Sequence, residues 1–173
     1  MTDTVNARLL ERLQIVSGFP PASLTTARTG DVVCMKGYRR CLVVFHGAIG
    51  TAGDDPTITI TQATDVAYSN PKALNFTEIY VKMDATHLTD VGQWTKVTQA
   101  ASNTYTDATS AEQEKVWAIE FKAEDLDIKN DFDCIRAAIG DVGTNAQIGA
   151  LFYILGDPVN SVAPADMLSA IVD

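Results

Sequence analysis

Hydrophobic residues in this chain recur mostly at every second position, in short runs separated by Gly, Asp, Asn and Pro. In Thr57-Ile58-Thr59-Ile60-Thr61 the isoleucines share one face and the threonines the other. Such a strand has one dry and one wet side, because successive side chains point to opposite faces. Ile79, Val81 and Met83 alternate with Tyr80 and Lys82, and Trp117, Ile119 and Phe121 alternate with Ala118 and Glu120. Leu42-Val43-Val44-Phe45 is apolar on both faces, which predicts a central strand or one covered by another element. The pattern predicts strands over Asp31–Lys36, Arg40–Phe45, Thr57–Gln62, Glu78–Met83, Trp94–Thr98, Val116–Lys122, Cys134–Ile139 and Ile148–Leu155. Strands at this spacing, without helices between them, point to an all-β fold. The expected form is an antiparallel β-sandwich or a jelly-roll-like barrel.

The ends of the chain read differently. Val5, Leu9, Leu13 and Val16 recur at spacings of four and three, with Leu10 beside them, which predicts an amphipathic N-terminal helix. Asp3 or Thr4 would cap it, and Gly18 with Pro20-Pro21 would end it. At the other end Pro164 is placed to start a short helix ahead of Met167, Leu168 and Ile171. The expected organisation is a helix and linker arm over 1–29, a β domain over 30–158 and a tail over 159–173.

Composition narrows the function classes. The formal net charge is -9, which argues against a nucleic-acid surface or docking on anionic lipid, both of which need clustered Lys and Arg. The longest apolar run, Ala150–Leu155, is too short to cross a bilayer. A soluble protein made in a cytoplasm is expected. The three cysteines, Cys34, Cys41 and Cys134, have no CxxC spacing and fit neither a disulfide framework nor a zinc motif. They read as buried thiols. A two-residue turn at Gly37-Tyr38 would nevertheless oppose Cys34 to Cys41 within disulfide range, although a reducing cytoplasm disfavours the bond.

Catalytic signals are sparse. His46 and His87 are the histidines, and no Ser or Cys is grouped with either in the pattern of a nucleophile and base. Gly47–Gly53 is glycine-rich but lacks the Lys-Ser/Thr of a phosphate loop. The acidic run Glu124, Asp125, Asp127, Asp131 and Asp133 fails as an EF-hand, because Asn130 and Arg136 stand where Gly and Glu are needed. It reads as a solvated connection between strands. Trp94 and Trp117, with Tyr68, Tyr80 and Tyr105, offer aromatic rings that stack on sugars in some sandwiches, and Trp94 lies in the most polar setting. No enzyme activity, metal or cofactor is expected.

The β region resembles small virion structural proteins of tailed bacteriophages. The likeness rests on Met35-Lys36-Gly37-Tyr38-Arg39-Arg40-Cys41, on Thr59–Val66, on Lys72-Ala73-Leu74, on Glu124–Asp127 leading to Phe132–Arg136, and on Leu151–Leu155. It spans about Asp31 to Asp157. The resemblance implies a β-sandwich of the head decoration, or cement, type on the outside of a capsid, with the major capsid protein as partner and homo-oligomer formation. Other virion positions (tail, neck or head fibre) and a carbohydrate-binding module are the alternatives. A cement protein works through interfaces. The residues expected to supply them are Val5, Leu9, Leu10 and Leu13, the exposed Trp94, and Met167, Leu168 and Ile171.

Overall fold

The computed structural model describes residues 8–160 and 162–172. The described residues form eleven strands in two antiparallel sheets that pack as a sandwich. The strands are β1 (Leu13–Ser23), β2 (Arg28–Cys34), β3 (Tyr38–Gly47), β4 (Thr57–Ala63), β5 (Lys72–Ala73), β6 (Phe76–Asp84), β7 (Thr95–Ser102), β8 (Thr104–Thr106), β9 (Glu114–Lys122), β10 (Cys134–Ile139) and β11 (Ile148–Pro158). The larger sheet runs β1-β11-β3-β9-β6-β7. The smaller runs β2-β10-β4-β5, with β8 also paired to β4.

Alternation decides what lies between the sheets. Cys41, Val43 and Phe45 of β3, Trp117, Ile119 and Phe121 of β9, and Leu151, Tyr153 and Leu155 of β11 line the inner face of the large sheet. They meet Val33, Ile58, Ile60, Ile135, Ala137 and Ile139 of the small sheet. Trp117 packs on Phe45 at 5.4 Å and edge-on to Tyr105 at 4.9 Å between ring centroids. Each of these large rings buries enough apolar surface to contribute about 2–3 kcal/mol.

The expected N-terminal helix is not formed among the described residues, and its expected caps, Asp3 or Thr4, lie outside them. Leu9–Glu11 makes one 3-10 turn, and Leu13–Ser23 is an edge strand on β11. The spacing of Leu9, Leu13 and Val16 suits a helix, but Ile15 and Val16 also suit a strand. The eleven residues of β11 offer that strand an open edge. Pro20 and Pro21 do not stop β1, because they fall where its register slips between Phe19 and Ala22. An edge strand tolerates prolines at such a bulge.

The Gly37-Tyr38 hairpin is also not formed. Tyr38 N–H donates to Met35 O at 3.0 Å, so the turn exists, but it carries the chain from the small sheet to the large one. Cys34 therefore faces Cys134 on β10 and not Cys41, which lies in the core. The tail forms a 3-10 turn at Pro164–Asp166 and then folds back. Tyr38 Oη–H donates to Leu168 O at 2.6 Å, and Cys34 N–H donates to Ala170 O at 2.6 Å.

The two sheets are joined by a hydrogen bond inside the core. Between Arg136–Val32 and Ala138–Thr29 the ladder of β10 and β2 carries one extra residue on β2, a β-bulge. Ala137 N–H, facing this irregular step, donates to Tyr153 Oη at 2.9 Å, and Tyr153 Oη–H donates to Asp31 O at 2.8 Å. Gly30 makes room, since a Cβ there would lie 2.7 Å from the hydroxyl. Tyr153→Phe would strand both backbone groups in the interior. It is expected to cost about 2–3 kcal/mol, read as a lower urea midpoint with unchanged slope.

Candidate functional site

The outer face of the large sheet breaks the usual rule for an antiparallel sheet, whose solvent side is polar. Register places Ile15, Ile154 and Leu42 in one cross-strand row, ending at Glu120. The next row is Ser17, Phe152, Val44, Ala118 and Tyr80, ending at Lys96. A third runs through Ala150, His46, Val116 and Lys82. Ile15 is 54% exposed and Tyr80 38%, while Leu42, Val44, Val116, Phe152 and Ile154 are half-buried by their neighbours in the same sheet. Leu42 and Val44 are thus central within their sheet, yet no described strand or helix covers their outer side.

Charge frames this apolar strip. Arg40 donates through its guanidinium to Glu120 at 2.7 Å and to Asp157 at 3.1 Å. Glu120 beside it holds the Arg40 guanidinium still more firmly protonated. Lys96 pairs with Glu78, and Lys122 with Glu124 at 3.4 Å. An apolar centre with a charged rim is the anatomy of a protein interface.

The residues singled out in the sequence are scattered over the fold. Val5 lies outside the described residues. Leu9 and Leu10 are exposed beside the start of β1, and Leu13 opens that strand at the border of the apolar face. Met167 packs against the core, whereas Leu168 and Ile171 are half exposed where the tail docks beside β2. Trp94 is 47% exposed ahead of β7, with the Lys82 ammonium 5.0 Å from its ring centre. Trp117, Tyr105 and Tyr68 do not join it. Trp117 and Tyr105 are core, and Tyr68 lies on the small sheet under the Arg136 guanidinium, 3.1 Å from its ring centre. The outer strip was missed, although the double-sided apolar run Leu42–Phe45 and the apolar Phe152 and Ile154 were its visible signal.

The histidines are tied into surface contacts. His46 Nε2 lies 3.3 Å from Glu114 Oε1, and His87 Nδ1 contacts Thr89. Glu114 also accepts Leu88 N–H at 2.9 Å, and that bond, followed by His46, lowers its pKa. The acidic connection is likewise consumed by local bonds. Asp125 accepts Lys122 N–H at 2.7 Å, Asp127 pairs with Lys72, and Asp133 pairs with Lys36 at 3.3 Å.

Cys34 and Cys134 lie side by side on the outer face of the small sheet, roofed by Val66 and Tyr68. Donation from Cys134 draws the Cys34 thiol down to about 7, while the same contact and burial push Cys134 upward. Burial alone pushes Cys41 upward.

No family model matches the sequence, and no curated protein matches it. Among solved structures, the chain is similar to the SPBc2 prophage-derived protein YomS, at a TM-score of 0.44 and 11% identity over 82% of this chain and 92% of that one. That likeness is distant, so the functional reading rests on this chain's own surface.

At one end of the sandwich the loop after β3 closes over buried polar groups. Lys115, wholly buried, donates through Nζ to Ala48 O at 3.0 Å, and Asp55 accepts from Ser110 Oγ–H and Ala111 N–H. Burial lowers Lys115 from 10.5 to about 8. Between these values the unfolded chain holds a proton that the folded chain does not, so stability rises with pH across that window. Lys115→Met should remove this contribution. Wild type is expected to gain about 3 kcal/mol on the variant between roughly pH 8 and 10.5, measured by urea unfolding at stepped pH.

Proposed function

We propose that this chain is a non-enzymatic virion structural protein of a tailed bacteriophage, which binds the outer surface of the capsid and decorates or stabilises its lattice. The observation that carries the reading is the apolar strip of Ile15, Ile154, Leu42, Phe152 and Val44 with its charged rim, which no described element covers. An apolar sheet face with a charged rim suits a protein partner. The resemblance of residues 31–157 to virion decoration proteins supports the major capsid protein as the partner in this reading. The acidic net charge of -9 favours solubility of the free protein at high concentration.

Binding to the assembled shell stabilises it by linkage, since the protein binds the closed lattice and not its separated parts. Leu9 and Leu10 ahead of β1 and Leu168 and Ile171 of the tail are exposed. In this reading they touch neighbouring copies or adjacent capsid subunits.

The reading is tested by co-sedimentation of the purified protein with undecorated capsids, followed by cryo-EM. Regular added density with the large sheet facing the shell is expected. Ile15→Lys and Leu42→Lys, each checked for an unchanged fold by circular dichroism, should weaken capsid binding by at least about tenfold, because a charge buried at an interface is left unpaired. Removal of residues 1–12, which spares β1, should reduce occupancy on the lattice. Full binding by both lysine variants would overturn the role of this face. Density confined to the tail or neck would move the protein there, and no association with virions would overturn the virion reading.

A further inference from the structure

The small sheet carries a second feature that capsid binding does not use. We propose that Cys34, Cys134 and Asp133 form a binding site for a thiophilic divalent cation of the Zn²⁺ class. The sulfur atoms of the two cysteines and a carboxylate oxygen of Asp133 all lie within 4.8 Å of one another. Donor atoms around a tetrahedral zinc stand about 3.5–3.8 Å apart, given bonds of about 2.0–2.3 Å. Cys134 Sγ already sits 3.2 Å from Asp133 Oδ1. Closing the cluster on a metal needs only small side-chain movements.

Backbone geometry holds the two thiols together. Met35 N–H donates to Asp133 O at 2.7 Å, one step beyond the Cys34–Cys134 pair, and Cys34 N–H points away to Ala170 O. This is a non-hydrogen-bonded antiparallel pair, in which Cα atoms approach to about 4.5 Å and side chains stand closest. The surroundings are built as well. Thr61 Oγ1 and Tyr68 Oη share a hydrogen bond of 2.9 Å, and Asp65 Oδ1 accepts Ser69 N–H at 2.9 Å, which fixes the roof over the cysteines.

Charge fits a cation here once the thiols ionise. Two thiolates and one carboxylate around a divalent ion leave a net charge of minus one. The Lys36 ammonium, 3.3 Å from Asp133, and the Arg136 guanidinium over Tyr68 offset it. Three protein ligands leave a fourth position for water. A metal at this point would tie β2 to β10 beside the place where the C-terminal segment docks on Cys34.

The test uses the full chain, reduced and stripped of metal, titrated with Co²⁺ and then Zn²⁺. One equivalent of Co²⁺ should give thiolate-to-cobalt charge-transfer absorption that Zn²⁺ abolishes. Saturating Zn²⁺ should raise Tm by about 5 °C or more. Cys34→Ser and Asp133→Asn should weaken Co²⁺ binding, the former by more than about 100-fold. Independently of any variant, Zn²⁺ should slow alkylation of Cys34 and Cys134 in the wild-type protein while leaving the buried Cys41 unaffected. Absence of the thiolate band, or binding unchanged in Cys34→Ser, would overturn the proposal. So would a Cys34–Cys134 disulfide that forms under mild oxidation in protein that takes up no metal when reduced.

Discussion

The hydroxyl of Tyr153 does what no strand pairing can do in a sandwich, because it hydrogen-bonds from one sheet to the other through the core. Ladder bonds run within a sheet, so two sheets usually meet through apolar contact alone. Here the extra residue on β2 leaves backbone groups inside the core without ladder partners, and a buried orphan of this kind is costly. Tyr153 answers both sides at once, accepting from Ala137 N–H and donating to Asp31 O. The bond fixes the height of β11 relative to β2 and β10. Tyr153 points inward with Leu151 and Leu155, so Phe152 and Ile154 face out.

That assignment gives the two outer faces different characters. On the small sheet the outward residues include Thr59, Thr61 and Arg136, and the loop carrying Val66 and Tyr68 covers the apolar remainder. On the large sheet the outward residues of β1, β11 and β3 are mostly apolar, and no described element covers them. The free energy left unspent on that face is available to a partner, since each apolar side chain moved out of water contributes about 25 cal/mol per Å². The closed face and the open face therefore suit different roles, a contained cysteine cluster on one and a docking surface on the other.

Much of the β framework was legible in the sequence. The alternation of Ile58 and Ile60, of Ile79 and Val81, and of Trp117, Ile119 and Phe121 marked β4, β6 and β9 with the correct buried faces. Strand β1 was not legible, because a few apolar residues at Leu9, Leu13 and Val16 satisfy a helical period as well as a strand. Choosing between the two depends on the edge of β11, more than 120 residues away. The pairing of Cys34 was misread for a related reason. A local turn at Met35–Tyr38 fits a hairpin, but the inward-facing residues of β2 and β3 belong to opposite sheets.

The sequence by itself determined the class of the fold, the buried face of most strands and the absence of familiar catalytic spacing, because these depend on residue type and on a period of two. Tertiary structure alone decided which strands lie side by side. That choice brought Cys34 to Cys134 and lined up Ile15, Ile154 and Leu42 in one outward-facing row. Register between strands distant in the chain is set by packing and by single bonds such as that of Tyr153, neither of which leaves a local pattern to read.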